Sequence, residues 1–148
     1  MKKYYFNSAV VLFLVYSILS GQSESTNNLS STSTVIKTYY ESISNFDFDK
    51  MREICSSDYQ LVESSGIYNL EEYIGFLEPD VGQLKIQYSF EDFQSKTELN
   101  ISWITYVKNI KIITEDKNIN LKTRESAIIS NENDNLKLRM IHSTNIEK

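Results

Sequence analysis

At 148 residues the chain is sized for one domain, and 41% hydrophobic with 12% aromatic residues supplies enough apolar surface for a core. Four Gly and one Pro exclude a collagenous or low-complexity chain, and with one His and one Cys the usual zinc ligand sets cannot be assembled. A formal net charge of −5 sets the chain against phosphate backbones and anionic membrane surfaces, whose recognition rests on cationic contacts.

The first segment reads as an export signal. Lys2 and Lys3 form a short basic region, Ala9–Leu19 is dominated by apolar residues, and Ser20-Gly21-Gln22-Ser23 offers small residues for cleavage. The run is too short for a comfortable membrane span, and Gln22 stands where a lipoprotein would need Cys. The expectation is a signal peptide over residues 1–22 and a secreted or periplasmic bacterial product, without stable membrane insertion after cleavage. Losing Lys2 and Lys3 takes the net charge from −5 to −7. Residues 23–33 are nearly all polar and read as a flexible spacer, so the domain is expected to occupy 34–148.

In the domain, Thr34 is placed to cap a helix whose apolar stripe is Val35, Ile36, Tyr39, Tyr40, Ile43 and Phe46. Asp47 is placed to cap a second helix over Phe48–Cys55. Cys55 lies on that helix's apolar side, with no His or Lys cluster beside it, and reads as a buried structural thiol. Tyr59–Glu63 reads as a strand ended by Ser64-Ser65-Gly66. Asn69-Leu70-Glu71-Glu72 is a capping-box pattern opening a third helix that stops before Pro79. The apolar period then changes to two. Leu84–Phe90, Ile101–Ile113, Ile119–Ile129 and Leu136–Ser143 read as successive strands, the second apolar on both faces. Helices first and a meander last predict an α+β cone, a curved antiparallel sheet wrapped around helices.

Several segments resemble one family. Val35–Asp47 looks like the opening helix and turn of the SnoaL-like, nuclear transport factor 2-like (NTF2-like) superfamily. Ile101-Ser102-Trp103-Ile104-Thr105-Tyr106 resembles its central strand, and Thr123–Ile129 with Leu138–Ser143 its closing hairpin. Two features depart from the pattern: Leu136 replaces a Trp that often opens the last strand, and the turn before it is Asn-rich. The resemblance covers residues 34–146 and implies the cone fold, a homodimer through the sheet, and a cavity.

Because this superfamily holds isomerases, dehydratases, binding modules and oligomerisation domains, fold does not decide activity. One expectation is a small hydrophobic or amphipathic molecule bound in a pocket framed by Tyr39, Glu63, Trp103, Ser126 and His142. A second is a cofactor-free isomerase or dehydratase acting on a small carbonyl compound. Its ketosteroid-isomerase-like relatives would place an oxyanion-stabilising Tyr at Tyr39 and a carboxylate base at Glu63. Their second oxyanion donor, a protonated acid, falls on Ser126 or its neighbour Glu125. A third is an interaction or dimerisation module with a vestigial pocket. Each residue also has a plain reading. Tyr39 suits a core aromatic with a satisfied hydroxyl, Glu63 a solvated strand end, and His142 a structural residue facing inward with Leu136, Leu138 and Met140. No metal or other cofactor is expected.

Overall fold

The computed structural model describes residues 28–146. The expected signal peptide, residues 1–22, and residues 23–27 of the expected spacer lie outside the described residues.

The first helix, α1, spans residues 28–44 of the described chain and so is already helical before Thr34, where the sequence pattern would begin it. The polar composition of residues 28–33 misleads because their hydroxyls bond to their own helix. Thr32 Oγ1 donates to the Asn28 carbonyl at 2.8 Å, and Thr34 Oγ1 to the Ser30 carbonyl at 2.8 Å. With that polarity satisfied, Thr32 is buried in line with Ile36, Tyr40 and Ile43. Thr34 is therefore a mid-helix residue, not a cap. The helix ends in a Schellman arrangement, Asp47 N–H to the Ser42 carbonyl (2.8 Å) and Phe46 N–H to the Ile43 carbonyl (3.1 Å). The residue between, Phe46, takes φ 53°, a position that glycine usually fills.

Asp47 accepts from Lys50 N–H and caps α2, Phe48–Ile54. Strand β1 runs Cys55–Glu63 and a two-residue turn leads to a short β2, Gly66–Tyr68. The sequence pattern gave no hint of β2, since three residues carry too little alternation to read. Helix α3, Leu70–Leu77, opens with the expected capping box: Asn69 and Glu72 bond reciprocally at 3.0 and 2.9 Å. A 3₁₀ turn over Glu78–Asp80 follows. Strands β3 (Lys85–Glu98), β4 (Ile101–Ile113), β5 (Asn118–Glu132) and β6 (Asn135–Asn145) complete the chain.

The six strands form one sheet in the order β2-β1-β6-β5-β4-β3. It is a curved α+β cone, but mixed rather than wholly antiparallel, because β1 lies parallel to β6. Its concave face carries Tyr59, Leu61, Ile86, Ile104, Tyr106, Ala127, Ile129, Leu138 and Ile141, all buried against Ile36, Tyr39, Tyr40 and Ile43 of α1 and Met51 and Ile74. This apolar burial is the main source of stability.

Strand irregularities set which side chains face in. Between β3 and β4 the register shifts between Glu91 and Gln94, with Asp92 at φ 57°. Between β5 and β6 it shifts after Ile128, where Met140 pairs with Ile128 but Leu138 pairs with Ile129. Arg139 is the extra residue. The bulge reverses parity along β6, so Leu138 and Ile141 face inward while His142 is exposed. An inward His142, sharing a face with Leu138 and Met140, is thereby corrected.

Candidate functional site

The concave face is not purely apolar. In β4, Lys108 shares the inward parity of Ile104 and Tyr106, and in β5, Glu125 shares that of Ala127 and Ile129. Register sets Tyr106 opposite Glu125 and Lys108 opposite Thr123, so Lys108 and Glu125 meet on the diagonal. Lys108 Nζ lies 2.5 Å from Glu125 Oε1, with the two side chains 8% and 0% exposed. From α1, the Tyr40 hydroxyl donates to Glu125 Oε2 at 2.6 Å and accepts from Lys108 Nζ at 3.0 Å. Thr123 Oγ1 adds a long contact to Glu125 Oε1 at 3.3 Å. The ammonium also lies 4.2 Å from the centre of the Tyr40 ring.

Burial opposes the charge on Glu125, but the adjacent Lys108 and the bonds from Lys108 and Tyr40 outweigh it. The carboxyl is held below its usual range. Burial, and then the neighbouring carboxylate, push the Tyr40 phenol well above its usual value. The Tyr106 hydroxyl is buried beside this cluster. Among the described residues it is the side-chain polar atom that is buried without a well-formed hydrogen bond.

A cleft of about 520 Å³ opens at the mouth of the cone and reaches Lys108. Its walls include Glu63, Ile110, Leu121, Thr123, His142 and Ser143. Ile110 and Leu121 are cross-strand partners on the inward face; Ile110 packs against the edge of the core, and Leu121 is 43% exposed.

The five residues expected to frame one pocket are distributed over three places. Glu63 and His142 are both exposed and border the cleft. Tyr39 is sealed in the core with its hydroxyl 2.7 Å from that of Tyr59, and burial with the neighbouring phenol raises its pKa well above the usual value. Trp103 and Ser126 lie on the convex face: Trp103 is 40% exposed under the Lys96 ammonium, and Ser126 is exposed opposite His142. Ile104 and Tyr106, the neighbours of Trp103 on β4, are fully inside. Sequence reasoning passed over Tyr40 and Lys108. Lys108 was findable, since strand parity alone puts it beside Tyr106 and Ile104. Tyr40 was not separable from Tyr39, because adjacent residues both fit a wide helical stripe.

This arrangement does not assemble an oxyanion hole on Tyr39 and Glu125. Such a hole needs a protonated acid that can donate, whereas Lys108 keeps Glu125 ionised and acceptor-only. Tyr40 spends its proton on the same carboxylate.

Comparison with solved structures decides the architecture. A candidate dehydratase of the NTF2-like family from Streptomyces avermitilis superposes with a TM-score of 0.72 at 12% identity, over 83% of this chain and 99% of its own. An NTF2-like protein from Cytophaga hutchinsonii gives 0.69 at 15% identity, over 79% and 97%. The fold is NTF2-like. The association domain of C. elegans CaMKII shares it, with a TM-score of 0.71 at 14% identity over 82% and 98%. No protein-family model matches the sequence, and no curated protein matches it. The NTF2-like fold is thus shared by proteins of dissimilar roles.

Proposed function

We propose that this chain is an exported NTF2-like domain that binds a small amphipathic molecule at the mouth of its cone. The observation that carries the reading is the Lys108–Glu125–Tyr40 cluster at the floor of an open cleft. As packing alone the cluster is expensive: a buried ion pair gains little over apolar residues of similar volume, because both charges surrender their hydration. A polar floor beneath the apolar wall of Ile110 and Leu121 matches a ligand with one polar end. Binding is favoured over isomerisation because Tyr39 is sealed while Glu63 is exposed, and Glu125 is not a donor.

The test is a thermal-shift and ligand-observed NMR screen of small amphiphiles against the mature protein and a Leu121→Asp variant. Leu121 is half-exposed, so the change leaves the core intact while putting a charge in the cleft. Hits lost in that variant support the reading; hits that persist unchanged, or none at all, overturn it. Export carries its own test. N-terminal sequencing of protein recovered outside the cytoplasm is expected to start between Ser20 and Ser25, and a start at Met1 refutes cleavage.

A second reading, self-association through the convex face, is favoured by one observation: Trp103 stands 40% exposed there, with Ile128 and Met140 half-buried around it. The two readings are compatible, since they use opposite faces of the sheet.

A further inference from the structure

The geometry points to an uncharged ligand head, an oxygen that accepts a hydrogen bond from Lys108, rather than to an anion. This rests on the reading that the cleft is a binding site, and it names the ligand class of that site. An ammonium has three N–H donors. Among the described residues Lys108 places two of them, on Tyr40 and Glu125, and the residue itself lines the cleft. The floor of the cleft therefore presents an N–H donor.

It is not rich in charge. Glu125 lies 2.5 Å from the ammonium and cancels its field at ligand distance. Among the described residues Lys108 is the one Lys or Arg lining the cleft, beside the imidazole of His142, and Glu63 adds a carboxylate to its wall. A carboxylate or phosphate entering here would shed its hydration and meet a neutral pair and a like charge. An amide, alcohol or ketone oxygen has far less hydration to lose and can accept the same N–H. The apolar body of the molecule would lie along the cross-strand pair Ile110 and Leu121, which both line the cleft and of which Leu121 is 43% exposed.

Isosteric probes isolate the head. Octanamide, octanoate and octylammonium share chain length and differ in charge, and their binding to the mature protein at pH 7 can be followed by calorimetry and amide NMR shifts. The expected result is octanamide binding at least about tenfold tighter than octanoate, the worth of about one uncompensated polar group, and tighter than octylammonium, with shifts centred on Lys108 and Leu121. In Glu63→Gln, whose side chain is exposed and outside the core, the octanamide-to-octanoate ratio is expected to fall. Octanoate binding as tightly as octanamide would make the cleft an anion site, and octylammonium binding tightest would make it an acidic one; either overturns the inference while leaving a binding site in place. Shifts centred on other residues also overturn it. If none of the three binds, the inference falls together with the binding reading beneath it.

Discussion

At the scale of single residues, the buried Lys108–Glu125 pair dominates. Replacing Glu125 with Gln keeps the volume and an acceptor for Tyr40 but strands the ammonium, and is expected to cost about 3–5 kcal/mol in denaturant unfolding. The double variant Lys108→Met/Glu125→Leu removes both charges and is expected to be markedly less costly. A double variant as unstable as the single one would show that the cluster matters for packing rather than charge. Acid behaviour follows from the same carboxylate. Its folded pKa is depressed, so its contribution is fully present above the ordinary glutamate range and is lost as pH falls through the folded value. Alkali acts through the phenols. Tyr39, Tyr40, Tyr59 and Tyr106 are all raised, foremost by burial, so their contribution holds below the unfolded value near 10 and is lost as pH rises through the folded ones. Tyrosinate absorbance from these residues is expected to appear together with loss of circular dichroism above that pH. Ionisation of all seven tyrosines from Tyr39 to Tyr106 with the fold intact would refute this. Cys55 belongs to the same interior: burial pushes its thiol up to about 12, which agrees with a structural rather than reactive role.

At the scale of elements, what was legible in the sequence was whatever local chemistry writes. The Asn69–Glu72 capping box was readable because both partners lie within one turn. Asn69→Ala is expected to cost about 1 kcal/mol, and Asn69→Ser to recover most of it, in the same unfolding assay. The long strands were readable from their alternation, and Ile101–Ile113 matches its expected bounds. Arg139 was not readable. A bulge has no sequence signature of its own, yet one extra residue reverses the facing of everything beyond it, which is why His142 was expected inside and is found outside. The same limit governed the site. Glu63 does end its strand, as its pattern suggested, but the partners of Glu125 come from α1 and β4, 85 and 17 residues away. Residues 28–33 failed for a different reason: Ser and Thr read as a linker by composition, while their hydroxyls were free to bond back along a helix.

At the scale of the whole molecule, the convex face is the open question that a measurement can close. Self-association through it is expected to give a homodimer in light scattering at micromolar concentration. Trp103→Glu is expected to shift the species to monomer without changing the unfolding midpoint of the isolated chain, since the ring lies outside the core. A monomer in both proteins would remove the association reading and leave the mouth of the cone untouched.

The parallel pairing of β1 with β6 also has a consequence in time. Cys55 pairs with Leu138 and Val62 with His142, so a strand made early finds its neighbour only 80 to 83 residues further along the chain. Contacts of such long sequence separation close slowly, because the entropy of a large loop is surrendered before any bond is made. Until β6 leaves the ribosome, one edge of β1 and one of β5 stay bare, and Leu138 and Ile141 are missing from the core. A nascent chain in that state is expected to be protease-sensitive. Stalled chains ending before Asn135 are expected to be digested where the 148-residue chain resists. Protection of the shorter chains would show that the helices and the β3–β5 meander fold without their closing strand.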